Sequence, residues 1–174
     1  MSSEVTDHPQ NIKSLVIYYS HEGSTRLIAE SMADAIGADL LPLIPKKEMT
    51  RHGFSKYFWG GSQVMMKRKP ELLPFEVDPL EYDLILIGTP VWAWTFSPPV
   101  AALLKTVDFS GKKIGLFSCH GGQNGRTFLN LKKHLADSQV LGEIDFFEPV
   151  KKDTKLSVER AKTWAREIAD KSQG

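Results

Sequence analysis

Three short stretches of the 174-residue chain carry side chains suited to holding a small ligand. The first is Ser20-His21-Glu22-Gly23-Ser24-Thr25, which gathers hydroxyls around a glycine just before a helical pattern. A helix N-terminus presents unsatisfied N–H groups and the positive end of its dipole, so small polar residues there can seat a phosphate. Taken alone, the stretch is also readable as a plain N-cap turn. The second is Thr89-Pro90-Val91-Trp92-Ala93-Trp94. In an extended segment, residues of equal parity point the same way, so Trp92 and Trp94 are expected to form a flat wall for a planar ligand. The competing reading is ordinary core packing under a loop. The third is Ser118-Cys119-His120-Gly121-Gly122, whose glycines allow close backbone approach. No base and orienter can be read beside Cys119, so it is expected to be structural or ligand-lining rather than nucleophilic. His120 is a candidate proton donor, or simply a polar lid residue.

Other chemistries lack their residues. No catalytic constellation is expected. The five histidines and single cysteine show no metal-ligand spacing. Neither the G-x-x-x-x-G-K-[ST] phosphate loop nor the G-x-G-x-x-G dinucleotide fingerprint occurs.

The elements that must position these stretches follow from apolar patterning. Leu15 to Tyr19, Leu84 to Ile87, Ile114 to Phe117 and Ile144 to Phe147 read as buried strands. The first two are nearly continuous in apolar character, as suits strands covered on both faces of a parallel sheet. Leu40 to Ile44 is a fifth run, and its Pro42 places it at a sheet edge. Helical patterns cover residues 25–36, 98–107, 126–136 and 157–170, with Ser97 a natural N-cap and Pro98 suited to the first helical position. This alternation predicts an α/β, doubly wound, five-stranded parallel sheet with helices on both faces. Strand order 2-1-3-4-5 fits best, because it leaves the Pro42 strand at the edge. Open sheets of this kind bind ligands beyond the carboxyl ends of their strands, at the switch in strand order. The loops after strands 1, 3 and 4 are the three stretches already described.

A phosphate seat, an aromatic wall and a glycine-rich loop therefore converge on one crevice. A planar ring system carrying a phosphate would fill it. Flavin mononucleotide (FMN) fits better than an adenine nucleotide, since no acidic ribose-reading residue stands in the dinucleotide position.

Composition bounds the rest. A length of 174 residues suggests one domain, residues 1–174, with residues 1–11 a flexible lead-in. The net charge of +1 creates no field drawing the chain to nucleic acid or anionic lipid. A single cysteine permits no internal disulfide, the N-terminus has no apolar signal region, and no run approaches the roughly 20 residues of a membrane span. A cytoplasmic protein is expected. Residues 45–82 form a connection longer than a simple crossover. Its Phe54, Tyr57, Phe58 and Trp59, on a helix expected around 54–66, would pack on the sheet or border a ligand or partner chain.

The segments LVIYYSHEGSTRLIAESMADAIGAD, YDLILIGTPVWAWTFSPPVAALL and GLFSCHGGQNG resemble the flavodoxin-like family over nearly the whole chain. The resemblance implies FMN bound non-covalently. It implies phosphate contacts from Ser20, His21, Gly23, Ser24 and Thr25, and ring contacts from Pro90 to Trp94 and from Ser118 to Gly122. Two departures stand out. Glu22 occupies a place where the family commonly has Thr or Ser; a carboxylate is repelled by phosphate, so Glu22 is expected to turn outward and contribute backbone. Residues 89–99 contain no glycine, whereas electron-carrier members often have one beside the flavin, whose peptide flips on reduction. A non-glycine residue resists positive φ, which weighs against strong semiquinone stabilisation.

The resemblance implies an electron carrier working between a reductase and an acceptor protein. The alternative is an FMN-dependent NAD(P)H:quinone oxidoreductase, favoured by the near-neutral charge and implying a homodimer or larger assembly. A non-redox α/β module is the third reading. A receiver domain would need clustered acidic residues after strands 1 and 3, and none is there.

Overall fold

The computed structural model describes residues 12–47 and 70–174. The aromatic cluster Phe54 to Trp59 and the helix expected around it lie outside the described residues, as do residues 1–11.

Five strands run parallel: β1 (Ser14–Tyr18), β2 (Asp39–Pro42), β3 (Leu84–Trp92), β5 (Lys113–His120) and β6 (Gln139–Phe147). Their order is β2-β1-β3-β5-β6, the 2-1-3-4-5 arrangement expected once strands are counted along the parallel path. The expected count of five is one short. A two-residue strand, β4 (Thr95–Phe96), pairs antiparallel with the end of β3, matching Val91 to Phe96 and Trp92 to Thr95. It went unforeseen because its turn residues, Ala93-Trp94, carry none of the usual Asn-Gly or Asp-Gly hairpin chemistry.

The cores of β1 and β3 are closed to solvent: Leu15, Val16, Ile17 and all of Leu84 to Ile87 have no exposed surface, whereas in the run Ile144 to Phe147, expected to be buried, the outer strand β6 fully buries Phe146 alone. Among the described residues, two helices cover each face. On one side, α2 (Pro98–Thr106) contributes Val100 and Leu103, and α3 (Thr127–His134) contributes Phe128 and Leu131, against Leu15, Ile17, Ile85 and Ile87. On the other, α1 (Ser24–Ile36) lays Ile28, Ala29 and Met32, and α4 (Thr154–Gln173) lays Ala161, Ala165 and Ile168, against Val16, Leu84, Leu86 and Phe117. Each large aliphatic or aromatic side chain so buried stabilises the fold by about 1.5–3 kcal/mol. Leu27, Ala35 and Ile36 of α1 are only half-buried.

Pro42 lies in β2, which among the described residues pairs with β1 alone and so forms the sheet edge. The long connection leaves β2 and returns beside itself. Lys46 N–H donates to the Glu71 carbonyl and Leu73 N–H to the Ile44 carbonyl, each at 2.8 Å. A short 3-10 turn, Pro79–Glu81, capped by Asp78, then delivers the chain to β3. Among the described residues, no helix is long and apolar enough to cross a membrane.

Candidate ligand site at the strand ends

A cavity of about 510 Å³ opens at the carboxyl ends of β1, β3, β5 and β6. That volume falls in the range of small-molecule sites, about 300–1,000 Å³.

The wall after β1 consists of Ser20, His21, Glu22, Ser24 and Thr25. The chain turns into α1 through Gly23, the N-cap residue, at φ 92°. No side chain caps this helix and no acidic residue lies in its first turn. The N–H groups of the first turn have no partner within the helix itself, and Ser24 and Thr25 bring that turn to the cavity. Gly23 is not itself on the lining; it bends the chain behind it. Glu22 is exposed.

The second wall is Pro90, Val91, Trp92 and Ala93. Trp92 stands edge-on to Tyr19, with ring centroids 5.7 Å apart, and to His21, at 6.0 Å. These two rings fix its orientation. Trp94 does not join it. Ala93 and Trp94 adopt φ 49° and 61°, so the backbone reverses between the two tryptophans and their shared parity loses its meaning. Trp94 is 64% exposed and off the cavity lining. Positive φ thus occurs in this loop without glycine, at a cost of about 1–2 kcal/mol per residue.

Tertiary contacts hold that turn. Arg126 N–H donates to the Trp94 carbonyl at 2.8 Å, and Asn130 Nδ2 donates to Thr95 Oγ1 at 3.0 Å. Gly125 makes room for the contact: a Cβ there would lie 2.7 Å from both the Cβ and the carbonyl oxygen of Trp94. Thr89 is also off the lining. It is fully buried, and its Oγ1 accepts from Ser97 N–H at 2.9 Å while sharing a 3.1 Å hydrogen bond with Ser97 Oγ. Ser97 precedes α2 as expected, but its hydroxyl ties the base of the hairpin instead of capping the helix.

The third wall is Cys119, His120 and Gly121. Ser118 turns away from the cavity, fully buried, and bonds Asn124 Oδ1 at 2.6 Å. Gly122 also lies off the lining. Burial pushes the Cys119 thiol up to about 12, against the opposing hydrogen bond from Thr25. Burial thus favours the neutral thiol over the reactive thiolate.

A fourth wall, Glu148, Val150 and Lys151, escaped the sequence reading. It follows β6, whose register carries it beside β5 as far as His120 opposite Phe147. Glu148 N–H then donates to the His120 carbonyl at 2.9 Å, locking this segment against the third wall. The signal available in the sequence was the position of residues 148–151 directly after a strand adjacent to the third loop. Glu148 itself sits at φ 39°.

Two buried side-chain polar atoms among the described residues have no hydrogen-bond partner, Ser20 Oγ and His120 Nδ1. Both belong to this cavity. Leaving such an atom unsatisfied costs about 1–3 kcal/mol, and backbone strain likewise tends to gather at functional sites. No group of three or more His, Cys, Asp or Glu among the described residues could hold a metal ion.

The chain is similar in fold to several solved proteins. A flavoprotein from Lactobacillus acidophilus NCFM, solved in complex with FMN, is 24% identical with a TM-score of 0.67, covering 81% of this chain and 97% of that one. A flavodoxin, WrbA-like protein from Agrobacterium tumefaciens is 16% identical with a TM-score of 0.65, covering 93% and 98%. A flavodoxin from the domain Archaea is 15% identical with a TM-score of 0.60, covering 94% and 100%. No curated protein matches the sequence. The flavodoxin family model matches residues 13–166, and the chain belongs to that family.

Proposed function

We propose that the cavity binds FMN non-covalently and that the protein works as a flavodoxin-type electron carrier. The observation that carries this reading is the pair of buried, unpartnered atoms, Ser20 Oγ and His120 Nδ1, in the lining of one cavity. They sit in different walls, so one ligand reaching from the first wall to the third could satisfy both.

The roles of the residues follow from their chemistry. The first turn of α1, with Ser20, Ser24 and Thr25, suits the phosphate, since N–H groups, hydroxyls and the dipole all favour an anion. Trp92 offers its oriented ring as a wall for the flavin. Ala93 and Gly121 bring little side-chain bulk to the second and third walls. Glu22 and Glu148 border the cavity with negative charge, and Lys151 is 3.6 Å from Glu148, which limits the net positive charge available to an anionic ring. Bound FMN would supply one- and two-electron chemistry, while the protein sets its potential and limits access. Membership of the flavodoxin family and the FMN complex of the Lactobacillus acidophilus flavoprotein support the choice of cofactor.

The carrier works with separate reductase and acceptor proteins. An FMN-dependent NAD(P)H:quinone oxidoreductase would instead be reduced directly by the nicotinamide nucleotide. Anaerobic mixing of FMN-loaded protein with NADPH or NADH separates them. The carrier reading expects no bleaching of the flavin absorbance on the timescale of seconds unless a reductase is added. Rapid bleaching by the nucleotide alone would replace it with the enzyme.

A further inference from the structure

We propose that Asp145 is a positioning residue that fixes the tautomer of His120, so that Nδ1 accepts a hydrogen bond from an N–H or O–H of the bound ligand. The inference rests on the reading of the cavity as an FMN site. It adds a role for a residue pair that no motif in the sequence indicates.

The geometry is direct. His120 ends β5, and Asp145 lies on the neighbouring β6 in register with Ser118. Alternate residues on a strand share a face, so His120 and Asp145 project from the same side of the sheet as diagonal neighbours. His120 Nε2 lies 2.6 Å from Asp145 Oδ2, and the histidine side chain is 8% exposed. A carboxylate oxygen accepts, so Nε2 carries the hydrogen, and in the neutral ring Nδ1 is then left with a lone pair. Nδ1 is buried and has no partner. The ring also packs at a tilt on Phe147, with centroids 5.9 Å apart, and the His120 carbonyl is held by Glu148 N–H. One nitrogen is anchored, the ring is packed, and the other nitrogen remains for the ligand.

FMN offers two kinds of donor, the imide N–H of the flavin ring and the hydroxyls of the ribityl chain. Exchange of the carboxylate for an amide separates positioning from packing. In Asp145→Asn, the amide can donate its N–H to Nε2, which moves the ring hydrogen to Nδ1, or accept from Nε2–H through Oδ1, so the single tautomer gives way to a mixture.

The test combines nitrogen-15 NMR of labelled histidine with FMN titrations followed by flavin fluorescence. In the wild-type protein, the His120 signal, identified by its loss in His120→Asn, should show the Nε2–H tautomer. Its Nδ1 resonance should shift on addition of FMN. Asp145→Asn should show a substantial share of the Nδ1–H tautomer and bind FMN several-fold more weakly. His120→Phe, which keeps a ring but no acceptor, should lose a similar factor. His120→Asn, which places an amide oxygen near the Nδ1 position, should recover part of it. FMN methylated at the imide nitrogen distinguishes the donors: a loss of the Asp145→Asn effect identifies the ring N–H, and its persistence identifies a ribityl hydroxyl. Wild-type FMN affinity in Asp145→Asn, or an unchanged tautomer, would overturn the inference while leaving the FMN site intact. No FMN binding by the wild-type protein would overturn the site and the inference together.

Discussion

The loop after β1 and the hairpin after β3 flank the same cavity, and each leaves ordinary backbone geometry by a different route. The β1 loop turns at Gly23, with φ 92° and nothing within 4 Å of where a Cβ would stand. Its strain is avoided by residue choice, within a few residues of where it is needed. The hairpin turns at Ala93 and Trp94, both at positive φ. Its strain is retained and held by contacts from Gly125, Arg126 and Asn130, which are distant in sequence. Local chemistry therefore shapes the first wall of the cavity, and tertiary structure shapes the second.

If tertiary contacts hold the hairpin, removing the space beneath it should have the largest effect. Gly125→Ala adds a Cβ against the Trp94 backbone at φ 61°. Denaturant unfolding should show a loss of about 2–4 kcal/mol, with FMN affinity reduced as well. Unchanged stability would mean that the hairpin is held elsewhere.

The reversal between the two tryptophans gives the next contrast. Trp92→Ala should weaken FMN binding about tenfold to a hundredfold, by loss of its aromatic wall. Trp94→Ala should change binding by less than about threefold, because that ring is largely exposed. Fluorescence titration of both variants checks this, and equal effects would restore the extended loop read from residue parity.

The two routes to positive φ should respond to substitution with opposite signs. Gly23→Ala should destabilise the protein by about 1–2 kcal/mol, since the new residue is forced into left-handed geometry. Ala93→Gly should stabilise it by about 0.5–1 kcal/mol, the strain relieved exceeding the added freedom of the unfolded chain. Paired thermal or urea melts give both signs in one experiment.

This contrast also explains what could be read from the sequence. The central strands were legible because Leu84 to Ile87 is apolar at every position and buried at every position. Pro42 marked its edge through a missing donor, and Ser20 to Thr25 marked the first wall through residue type. These are local signals. Trp94 lies off the cavity lining because its orientation depends on Gly125 and Arg126, and Thr89 lies off it because its bonds to Ser97 close when the hairpin forms. The wall at Glu148 to Lys151 follows from the register of β6 on β5, a pairing between strands separated by a helix.

The central claim is that a phosphate seat at the start of α1 and a ring wall at Trp92 act together on one ligand. Parallel titrations of purified apoprotein with FMN and with riboflavin test it most directly. FMN should bind saturably and one to one, more tightly than riboflavin by about tenfold to a hundredfold, as charge-assisted hydrogen bonds to phosphate require. Equal affinity for the two, or no quenching of FMN fluorescence by the protein, would contradict it.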